Sequence, residues 1–226
     1  MNKTKNPESS VRRSILTPGE VHLREAAEGE SASRTITGYA VLFDTPSAPL
    51  WDDEDSSARE IIARGAITRE LLDGCDIKFT MYHDRQLILG RSNRGEGTLK
   101  YFVDDRGVGF TLDLPSSPNG DEALELVRRG DISGCSFAFS TFYCDPAYVS
   151  REQKITGSKS EITYTVRKIT GVYDFTLAAD PTYPDTEVQA RELDRAITSG
   201  AEAEADKAKI AAQLRQMRRS AGQNII

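Results

Sequence analysis

From Ile77 to Leu114 the chain alternates apolar and polar residues in short runs, and a turn composition ends each run. Ile77, Phe79 and Met81 share one face of the first run, and the same parity carries the side chain of His83 to that face. Leu87 to Ser92, Leu99 to Val103 and Gly107 to Leu114 follow, separated by Asn93-Arg94-Gly95 and Asp104-Asp105-Arg106-Gly107. Runs joined this way predict antiparallel hairpins, and in series they predict a meander closed or nearly closed into a β-barrel. Further strands are expected at Thr35 to Phe43, where Gly38 marks a bulge or a close approach, and at Ser136 to Phe142, Glu161 to Ile169 and Val172 to Ala178. Helices are fewer. Ser117-Pro118 starts one that ends at Arg129 before Gly130, and a shorter one spans Ile67 to Leu72 and closes at Gly74. The fold class is therefore α+β, mainly β, an antiparallel barrel flanked by helices.

The ends differ from this middle. Residues 1–32 are polar and read as a flexible N-terminal arm, with His22 exposed in a charged context, and residues 33–192 form the folded domain. Cys144 to Ser160, polar and containing Pro146 and Gly157, reads as a long mobile excursion between strands. The acidic run Asp52 to Asp55 beside Trp51 reads as a solvated loop. Residues 193–226 form a helical tail whose last twenty residues carry five basic side chains and no acidic one. A net charge of −6 argues against whole-protein nucleic-acid binding. Cys75, Cys135 and Cys144 make neither a disulfide framework nor, with two histidines, a zinc site, so a reducing setting and no metal or cofactor are expected. No run of about 18 apolar residues occurs, and Met1 to Ser14 lacks an apolar core, so a soluble, unexported chain with no membrane partner is expected.

The residues with chemistry lie at two strand ends. Helix 117–129 stops at Gly130, and a small-residue turn leads into Gly134-Cys135-Ser136-Phe137-Ala138-Phe139, which presents Ser136. A hydroxyl is a poor nucleophile at neutral pH, and His83 could take its proton, since an imidazole in water has a pKa of about 6.5. Cys135 could serve in place of Ser136, but neighbours on a strand face opposite ways, so only one of the two can meet His83. Oxyanion donors could come from backbone amides in the Gly130 to Gly134 turn, or from water held by Arg128 or Arg129. As framework residues, the same side chains would instead belong to a non-enzymatic β-barrel.

In order, Gly38-Tyr39-Ala40 to Phe43, Glu60 to Ala66, Tyr82-His83-Asp84 with Leu89-Gly90, Gly107 to Leu114, Gly130 to Phe139, and Tyr173-Asp174-Phe175-Thr176-Leu177 leading to Pro181-Thr182-Tyr183-Pro184 resemble the tailed-phage (caudovirus) prohead maturation protease family. That family is similar in fold to the herpesvirus maturational protease, a small β-barrel wrapped by helices. The resemblance makes Ser136 the nucleophile, His83 the base and Asp174 the carboxylate that orients it. Here the sequence departs from the family, which usually has glutamate in a Glu-Val-Ser-Leu-like strand, and aspartate is shorter by a methylene. Asp84 is the rival acid, placed by strand parity on the face opposite His83. The resemblance implies a serine endopeptidase inside an assembling procapsid in the host cytoplasm. It would cut the major capsid protein, scaffold or scaffold-like segment and itself, and it would self-associate. The readings to set against it are a non-enzymatic capsid assembly factor and a Cys135-dependent hydrolase.

Overall fold

Strands dominate the computed structural model, which describes residues 11–16, 20–25, 33–179, 190–191, 194–195 and 197–200. In chain order they are β1 (Val11–Leu16), β2 (Val21–Leu23), β3 (Thr35–Leu42), β4 (Trp51–Asp52) and β5 (Ser56–Ile62). Helix α1 (Arg69–Gly74) precedes β6 (Asp76–Met81), β7 (Asp84–Asn93), β8 (Glu96–Gly97), β9 (Leu99–Val103) and β10 (Gly107–Asp113). After α2 (Pro118–Arg129) come β11 (Gly134–Thr141), β12 (Val149–Thr156), β13 (Lys159–Val166) and β14 (Gly171–Ala178). Local chemistry sets the helix ends. Ser117 caps α2 by accepting from the Gly120 amide, Pro118 opens its first turn, and Gly130 ends it at φ 78°.

These strands form three sheets, and none closes into the expected barrel: β1-β11-β14-β6-β7-β8, β2-β3-β10-β9, and β12-β13-β5-β4. The predicted meander divides because β7 stays with β6 while the β9–β10 hairpin pairs with β3. Two parallel pairings, β14 with β6 and β13 with β5, then join segments far apart in sequence, which an all-antiparallel meander does not contain. The mainly-β, α+β class holds. The sheets meet through apolar faces: Phe79 of β6 lies 4.8 Å from Phe110 of β10 between ring centroids, and both are fully buried.

Two segments read as unstructured contain strands. The 144–160 excursion is largely the β12–β13 hairpin, with Gly157 in its turn at φ 65°. Most of β12 is exposed, so main-chain pairing rather than burial holds it and no apolar alternation marks it. Likewise, in the polar N-terminal arm β1 pairs with β11 and β2 with β3. At the other end, packing continues past residue 192. Ala190 is buried, the Arg191 guanidinium donates to Asp53 at 2.5 Å and sits over Trp51, and Arg151 donates to Asp194 at 2.7 Å. The acidic run is the β4–β5 turn, and Arg191 holds the Asp53 carboxyl down to about 2. The basic residues of the tail beyond 200 lie outside the described residues.

Gly38 marks a close approach, as its position in a strand predicts. A Cβ built there would lie 1.7 Å from the Glu20 carbonyl oxygen, which accepts from the Tyr39 amide. Gly38→Ala must therefore push β2 off β3. We expect a loss of about 1–3 kcal/mol, read as a lower urea midpoint with an unchanged m-value.

Candidate active site

Strand β6 buries Ile77, Phe79 and Met81 in the core, each 1% exposed or less. Parity would send the His83 ring to that face, but the strand stops at Met81. Tyr82 and His83 both adopt left-handed backbone, φ 56° and 57°, and β7 starts at Asp84. The reversal carries the ring to the sheet's other face. Two bonds from β14 fix it: the Tyr82 amide donates to the Leu177 carbonyl at 3.0 Å, and the His83 amide donates to Thr176 Oγ1 at 2.9 Å. Asp84 is exposed, and its carboxylate caps the Gln86 amide at 2.8 Å.

That other face is polar because residues paired across a sheet share a face. Ser136 of β11 pairs with Thr176 of β14, which pairs with Thr80 of β6, and all three are buried. Asp174 reaches the same face through a bulge. Ala138 pairs with Asp174 and Phe139 with Val172, so Tyr173 is an extra residue on β14. The extra residue lets Val172 and Phe175 both stay buried in the core, three apart, while Asp174 points the other way.

The three side chains converge. His83 Nδ1 lies 2.6 Å from Asp174 Oδ1, and His83 Nε2 lies 2.9 Å from Ser136 Oγ. Asp174 and Ser136 are 4% and 5% exposed. An ionised carboxylate only accepts, so it fixes the proton on Nδ1 and leaves Nε2 to accept from the Ser136 hydroxyl. The arrangement can deprotonate a serine hydroxyl and hold the resulting imidazolium beside a negative charge.

Cys135 does not share it. Its side chain lies on the core face with no exposure, and burial, with the Asp174 carboxylate adding to it, pushes its thiol well above the ordinary range. That environment disfavours the thiolate that a Cys135-dependent hydrolase would need. Arg128 and Arg129, candidates for the oxyanion, are paired on the surface with Glu125 and Asp131. Among the described residues no group of three or more His, Cys, Asp or Glu side chains could hold a metal, and no helix is long and apolar enough to cross a membrane.

With this geometry in place, a scan of protein families matches residues 20–199 to the caudovirus prohead serine proteases. The chain belongs to that family. Searches of curated proteins and of solved structures return no match. Family membership makes the chain a serine peptidase of the phage prohead class, and the matched region holds every residue of the His83, Ser136 and Asp174 cluster.

Sequence reasoning missed Thr176. Its hydroxyl accepts from the His83 amide and from Thr80 Oγ1 at 3.0 Å, and donates to the Thr80 carbonyl at 3.0 Å. A signal existed, since Thr176 lies two residues beyond Asp174 and residues two apart on a strand share a face. Thr176→Val keeps the shape and orphans the His83 amide. It should cost about 1–3 kcal/mol in urea unfolding, and Thr176→Ser should recover most of that loss.

Proposed function

We propose that the chain is a serine endopeptidase of procapsid maturation that cuts the major capsid protein, its scaffold and its own chain. In this reading Ser136 is the nucleophile, His83 the general base and acid, and Asp174 the group that orients the imidazole. The observation that carries it is the unbroken contact from Asp174 Oδ1 through both ring nitrogens of His83 to Ser136 Oγ. The hydroxyl oxygen attacks the scissile carbonyl as its proton passes to Nε2, and the imidazolium then protonates the leaving amine. Water repeats the sequence on the acyl-enzyme, returning Ser136 and a carboxylic acid. Asp174 stays ionised throughout and stabilises the positive ring. The short aspartate suffices because the β14 bulge and the left-handed turn bring carboxylate and ring together.

Ser136→Ala and His83→Ala should each lower kcat by up to about 10⁶-fold without loss of fold, and the double variant should be little worse, because nucleophile and base act as one unit. Asp174→Asn should be slowed by about 10⁴-fold, and Asp84→Asn should stay near normal. The measurement is mass analysis of the cognate major capsid protein after co-expression, with peptide kinetics for the partial losses. Full processing by Ser136→Ala would overturn the assignment.

We also propose that residues beyond 200, which lie outside the family match, address the protease to the procapsid. Deleting 201–226 should leave peptide hydrolysis within about twofold and lower the number of protease copies recovered in procapsids. A truncated chain that folds but no longer hydrolyses the peptide would refute this division.

A further inference from the structure

The strand that carries Ser136 has one side committed to the fold and one side borrowed. Along one side β11 pairs with β14, which supplies Asp174. Along the other it pairs antiparallel with β1 from Val11↔Thr141 to Leu16↔Ser136, so the resident strand ends its register at the nucleophile. Among the described residues β1 is outermost in its sheet, with β11 its sole neighbour. The family match begins at residue 20, so β1 lies outside the part of the chain that prohead proteases share. Without β1, the shared fold ends at an open β11 edge running beside Ser136.

An endopeptidase must hold its substrate extended, with a peptide bond beside the nucleophile. An open edge strand does this through main-chain hydrogen bonds, largely independent of side chains. Resting on the reading of Ser136 as nucleophile, we propose that the outer edge of β11 is the substrate-docking edge. An extended segment of the protein to be cut adds there antiparallel, and β1 is an intramolecular occupant that must leave before substrate enters. The same geometry makes residues 11–16 a weak built-in competitive inhibitor. It is weak because β1 is a short strand of 6 residues with β11 on one side and no further strand on the other among the described residues.

Proline at a laddered position removes a donor, and amide direction alternates along a strand. One of Arg13→Pro and Ser14→Pro must therefore strike a bond to β11, and the double substitution in the full chain frees the edge whichever it is. The probe is a fluorophore-labelled peptide of residues 9–18, Ser-Ser-Val-Arg-Arg-Ser-Ile-Leu-Thr-Pro. In the Ser136→Ala background it should bind the double-proline chain at least tenfold tighter than the chain with its own β1, and amide exchange in residues 134–141 should slow when it binds. With Ser136 intact, the double-proline chain should show KM for a capsid-derived peptide lowered about tenfold with kcat within twofold, and the 9–18 peptide should inhibit it competitively. Equal probe affinity for both chains, or slowed exchange elsewhere than 134–141, overturns the docking edge. If probe binding behaves as stated and neither chain cuts any capsid-derived peptide, the edge stands and the protease reading fails. If both cut with the same KM, the protease reading stands and the edge fails.

Discussion

Everything at the site depends on two hydrogen bonds that β14 offers to a turn it does not belong to. Left-handed backbone costs a non-glycine residue about 1–2 kcal/mol, and Tyr82 and His83 adopt it consecutively. A hydrogen bond returns about 0.5–1.5 kcal/mol net, so bonds to Leu177 and Thr176 roughly offset the strain without exceeding it. Were the turn to relax into a continued strand, parity would drive the imidazole toward Phe79 and Met81. The imidazole sits on the polar face only while β14 lies alongside.

The six-stranded sheet thereby runs two programmes on its two faces. Cys135, Phe137, Phe175, Leu177, Phe79 and Met81 make one face a dry core, and Ser136, Thr176, Thr80 and Asp174 make the other a buried polar layer. Polar groups buried to this degree must be paired, and the Thr176 hydroxyl, with two bonds accepted and one donated, uses its full capacity. Adjacent residues in one strand separate the programmes. Cys135 is buried in the core for the same reason that Ser136 is presented, since a one-residue step flips the face.

Much of this was legible in the sequence where side chains carry the signal. Short strand-like runs set off by turn compositions located β9, β10, β11 and β14, serine, proline and glycine bounded α2, and motif order selected His83, Ser136 and Asp174 as residues that the fold brings together. What stayed illegible was carried by backbone. Strand β12 and the N-terminal β1 are held by ladders that leave little trace in composition. The bulge at Tyr173 breaks strict alternation, and the left-handed turn at His83 has no glycine or asparagine to announce it. The barrel failed for a related reason: parallel pairing between strands about a hundred residues apart is a property of the whole chain, and no local window contains it.

That parallel pairing also sets when the site can exist. In the sheet β14 lies between β11 and β6, so the strand of the serine and the strand that leads to the histidine are joined only through it. The histidine precedes the serine by 53 residues and the aspartate by 91. A chain emerging from the ribosome therefore carries the serine and the histidine before it can join them, and loop closure over such spans delays the joining further. A nascent or truncated chain lacking the last strand cannot assemble the three-residue cluster, however well its earlier strands have paired.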